Sequence, residues 1–105
     1  MTTEEFVKAF YAEKQNFLKE YISENSETEV GHLIKSLNLN VEQNEIIKKI
    51  LDSSFTDIFY SILLGLDGCA SIGGIQEMYD LKDENGNQIS GEIEGYAYEY
   101  FHESK

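Results

Sequence analysis

The sequence predicts a helix-rich α+β fold: a bundle of about four to five helices flanked by one β-hairpin near residues 75–90 and closed by a C-terminal helix. Three observations carry that expectation. Apolar residues recur at helical spacing through most of the first 66 positions, alternation replaces that period after Ile75, and Asn85-Gly86 supplies a hairpin turn signal. A lone hairpin is marginal in water, so it is expected to lie against the helices.

The first helix opens where Thr2 and Glu5 stand at capping-box spacing. Phe6, Phe10, Phe17 and Tyr21 then share one stripe, with Val7, Tyr11, Leu18 and Ile22 beside it, which predicts an amphipathic helix of about 20 residues. A polar break at Ser23 to Ser26 follows, and Ser26 with Glu29, or Thr28 alone, caps a second helix presenting Val30, Leu33, Ile34 and Leu37. Its end falls in the Asn38 to Asn40 region. Asn40 and Gln43 form another cap pair ahead of Ile46, Ile47, Ile50 and Leu51. Asp52-Ser53-Ser54 reads as a restart, giving a further helix with Phe55, Ile58, Phe59, Ile62, Leu63 and Leu66 on a wide apolar face.

Gly68, Gly73 and Gly74 halt the helical period. Ile75, Glu77, Tyr79 and Leu81 alternate with Gln76, Met78 and Asp80 as one strand, Asp83 to Asn87 turns, and Gln88 to Ser90 returns as a short second strand. Glu92 to Glu103 is helical again, with Ile93, Tyr96, Ala97, Tyr100 and Phe101 on one side. No linker, repeat, charge block or proline divides the 105 residues, so residues 1–105 form a single domain.

Twenty Asp and Glu face eight Lys and no Arg, a formal net charge of −12. Such a chain lacks the basic patch that displaces counterions from nucleic acid and the planar guanidinium that reads guanine or phosphate, so neither nucleic acid nor an anionic membrane is an expected partner. An acidic surface instead steers encounters with basic proteins. Cys69 is the only cysteine, which excludes an intrachain disulfide. The N-terminal residues lack the positive and apolar regions of a secretory signal, and Ile62 to Leu66 is far shorter than the roughly 20 residues that span a bilayer. A cytoplasmic location is expected.

Asp83, Asn85, Gly86 and Glu92 match four positions of an EF-hand loop, but Leu81 occupies the first, and starting at Asp83 puts Gln88 where glycine is required. The glycine-rich run from Gly65 to Gly74 follows a helix rather than preceding one and ends without the lysine of a phosphate loop. It reads as a helix end, within which Asp67 and Gly68 form a candidate loop site, since a carboxylate beside an apolar run must reach solvent or find donors among loop amides. His32 and His102 lack zinc-ligand spacing, and nothing around Cys69 marks a nucleophile. No metal, cofactor or catalytic group is expected. Glu92, Glu94, Tyr98 and Glu99 form a candidate interface that mixes acid with an aromatic anchor.

The run Leu63-Leu64-Gly65-Leu66-Asp67-Gly68, followed by Tyr79-Asp80-Leu81, Asn85-Gly86 and an aromatic, acidic terminal segment, resembles small acidic bacterial proteins of unassigned function. Some of those sit beside toxins as immunity partners. The resemblance covers the C-terminal half and implies an immunity-type inhibitor of a basic protein. The expectation is therefore a non-catalytic protein-binding module. The alternative is a small-molecule-binding domain or small enzyme built on the Asp67 to Gly74 loop. Either is compatible with a homo-oligomer.

Overall fold

The computed structural model describes residues 1–103. They form four α-helices, α1 (Thr3–Ile22), α2 (Glu29–Ser36), α3 (Val41–Leu66) and α4 (Ile93–Tyr98), and a π-helical turn at Glu99–Glu103 that continues α4. Local caps set the starts. The Glu5 amide donates to Thr2 Oγ1 (3.1 Å) while Glu5 Oε1 accepts from the Thr2 amide (2.9 Å), so two otherwise unpaired donors at the mouth of α1 are satisfied. Asn40 and Gln43 repeat the device at α3. Thr28 caps α2 by accepting from the Gly31 amide at 3.0 Å, steadied by a 2.7 Å bond between its hydroxyl and that of Ser26. Asn38, at φ 50°, ends α2 in the left-handed region that Asn tolerates.

The α+β expectation is not met, because the described residues contain no strand. Around the expected hairpin near residues 75–90 only two isolated bridges form, Ile72 with Ile75 and Lys82 with Gln88. Side chains take the bonds that a ladder would need. Ser90 Oγ accepts from the Leu81 amide (3.0 Å) and donates to the Tyr79 carbonyl (2.7 Å), while Leu81 O accepts from both the Ile89 and Ser90 amides. At the tip, Asp83 Oδ1 accepts from the Asn85 and Asn87 amides, both at 2.9 Å. Of Asn85-Gly86, only Gly86 has positive φ, so the pair does not adopt the two-residue hairpin turn that needs both positions left-handed. Of the apolar side chains in the supposed first strand, Leu81 packs against the core while Ile75 and Met78 stay wet, 61% and 80% exposed.

The restart expected at Asp52-Ser53-Ser54 is also absent, and α3 runs unbroken for 26 residues, about 39 Å at 1.5 Å per residue. Asp52 is occupied elsewhere. Its Oδ1 lies 2.7 Å from Lys14 Nζ on α1, so it points across to α1 from within a continuous helix.

Val7, Leu63, Ile89, Ile93, Ala97 and Phe101 form the core, where α1, the second half of α3, the late loop and α4 meet. An aromatic seam lines it. Phe10 meets Phe59 edge-on at 6.1 Å, Phe59 lies 6.5 Å from Phe101, and Tyr11 meets Phe101 edge-on at 5.4 Å, separations favourable for aromatic pairs. The first half of α3 lies outside this packing, since nothing from Val41 to Phe55 is buried. The molecule measures 47 × 28 × 25 Å. No helix among the described residues is long and apolar enough to cross a membrane.

Candidate functional site

Asp67 and Gly68 close α3. The Gly68 amide donates to the Gly65 carbonyl and the Cys69 amide to the Leu64 carbonyl, both at 3.0 Å, with Gly68 at φ 78°. This paired arrangement satisfies the last carbonyls of the helix and needs a left-handed residue where Gly68 stands. A side chain there would also run into Met78 Sδ.

The Asp67 carboxylate, 6% exposed, turns the other way. One oxygen accepts from the Gly91 amide and the other from the Glu94 amide at 3.0 Å. Glu92, at the mouth of α4, contributes no side-chain cap. A carboxylate from the end of α3 therefore caps the start of α4, where the helix dipole favours negative charge. The burial and the two amide donors account for both oxygens of this candidate loop residue.

Cys69 lies next to that junction, its Sγ 3.8 Å from Asp67 Oδ2. The Glu94 carboxylate as acceptor, then desolvation and the nearby Asp67 charge, push the thiol up to about 11. Such a thiol stays protonated near neutrality and is a weak nucleophile. Among the described residues, no group of three or more His, Cys, Asp or Glu side chains is placed to hold a metal ion.

The four candidate interface residues, Glu92, Glu94, Tyr98 and Glu99, are all exposed. Glu94 and Tyr98 share one side of α4 at i, i+4 spacing, while Glu92 precedes the helix and Glu99 opens the π-helical turn. The Tyr98 ring lies 5.6 Å from the His102 ring, which meets Tyr60 edge-on at 4.4 Å. Opposite them, Ile93, Ala97 and Phe101 are fully buried, and the Tyr100 hydroxyl donates to Glu4 Oε2 at 2.7 Å. Tyr98 is thus anchored at its edge yet half exposed, among the exposed residues Glu92, Glu94 and Glu99.

Lys14 escaped the sequence reading. It is 1% exposed, paired with Asp52, with Nζ 5.4 Å from the Tyr11 ring centroid and 6.0 Å from that of Phe101. The available signal was position: Lys14 stands seven after Val7 and three after Tyr11, on the buried stripe rather than the wet face.

Comparison with family models, curated proteins and solved structures returns no match.

Proposed function

We propose that this chain is a non-catalytic protein-binding module whose acidic terminal region holds a basic protein, in the manner of an immunity protein on its toxin. The observation that carries the proposal is how the charge is distributed. Residues 67–103 hold nine acids and a single lysine, whereas residues 29–66 hold five acids and three lysines. The excess negative charge therefore belongs to the end of the molecule that also exposes Tyr98. Carboxylates at Glu92, Glu94 and Glu99 steer the encounter, and the Tyr98 ring supplies an apolar anchor once water is excluded.

The test uses the purified chain as bait in a host lysate over rising salt. The expected result is a basic protein held at low salt and released as screening grows. A Glu92→Lys/Glu94→Lys double variant is expected to weaken that capture by about tenfold or more, mostly through slower association. Capture of the same protein undiminished by the double variant, or no salt-sensitive capture of any basic protein, sinks the proposal.

A further inference from the structure

The arm opposite the acidic end leaves an unusual amount of apolar surface in water. Leu33 of α2 and Leu37, which caps its C-terminus, are each 59% exposed, and Ile46 and Ile50 of α3 are 55% and 53% exposed. Between the two helices runs an open groove of about 300 Å³, with half-buried Ile34, Ile47 and Leu51 on its floor and Leu33, Leu37 and Ile50 on its rims.

Area sets the scale of what is missing. A compact monomer of 12.0 kDa exposes about 6,000 Å². This chain exposes 7102 Å², and the surplus of about 1,100 Å² exceeds the roughly 800 Å² that each partner contributes to a standard stable interface. The radius of gyration, 16.2 Å, likewise exceeds the about 13 Å of a compact chain this long.

We propose that the α2–α3 face is the contact between two copies of this chain, related by a two-fold axis. An isologous interface must be complementary to itself, and this face carries both a leucine ridge and an isoleucine-floored groove able to receive one. Charge selects the same end. Copies carrying −12 each repel, and the repulsion is smallest where net charge is least, as across residues 29–66, whose five acids and three lysines leave only −2. The acidic ends then point away from the contact.

Sedimentation equilibrium over a concentration series tests this. The wild-type chain is expected at twice 12.0 kDa, and Leu33→Glu and Ile50→Glu, both at exposed positions, are each expected to raise the dissociation constant by about tenfold or more. Circular dichroism is expected to show unchanged helix in both, so that lost association is separable from lost fold. A wild-type monomer at every concentration overturns the proposal, as does a dimer that both variants leave intact. A monomer whose Leu33→Glu form loses the basic protein captured above assigns the groove to that partner instead, and also overturns it.

Discussion

At the scale of single residues, Lys14 and Asp52 show how unequal the two halves of an ion pair are. Lys14 is buried to the tip, whereas 39% of the Asp52 side chain reaches water. Removing Asp52 strands a buried ammonium, with only ring faces beside it. Removing the ammonium leaves a carboxylate that solvent accommodates. Asp52→Ala is accordingly expected to cost about 2–3 kcal/mol, and Lys14→Met, which keeps most of the packed stem, less than about 1 kcal/mol. Urea midpoints of the two variants check the order, and equal losses would contradict it. Tyr100 gives a pH signature. Its bond to Glu4, then desolvation and the Glu4 charge, raise the phenol from 10.0 to about 12. A folded value above the unfolded one means that this contribution is whole below pH 10.0 and disappears as pH climbs through about 12. Tyr60 is also shifted upward, by burial foremost, so the useful readout is a difference: Tyr100→Phe is expected to lose part of the alkaline destabilisation that the wild type shows, with one phenol fewer titrating late by tyrosinate absorbance.

At the scale of elements, Asp67 joins two helices that touch at their ends. Asp67→Ala leaves the Gly91 and Glu94 amides without their acceptor and is expected to cost about 2 kcal/mol. Hydrogen exchange distinguishes this from a general loosening: the Gly91 and Glu94 amides are expected to exchange faster by a larger factor than amides in the middle of α1. What the sequence revealed and what it concealed divide along the same line. The caps at Thr2, Thr28 and Asn40 were legible because each is a bond between a side chain and an amide three residues on. Asp67 was legible as a carboxylate in need of amide donors, but not which donors, since these lie beyond the loop. The pairing of Asp52 with Lys14 and the Ser90 hydroxyl that replaces the first bonds of a ladder join residues distant in sequence, so neither leaves a local pattern to read. Glu94, Glu99 and Tyr98 are legible as surface residues by their offset from the apolar stripe of the terminal segment.

At the scale of the whole molecule, the unbroken α3 sets an acidic end and an apolar arm at opposite ends of a long body. The two proposed contacts therefore do not compete for surface, and a pair joined at the arms would present two acidic ends to separate partners. The junction at Asp67 has another consequence. Its bonds to Gly91 and Glu94 tie the two ends of the intervening loop together in a closed neck, with Ile89 packed in the core and the turn at Gly73-Gly74 outside it. Lengthening such a loop at an exposed turn raises the entropy of closure slowly, by about 0.6 kcal/mol per doubling. Gly73 and Gly74, where an added Cβ would meet nothing within 4 Å, are such a place. An epitope or a reporter spliced between them would be carried outside the neck, leaving the helices on either side in register.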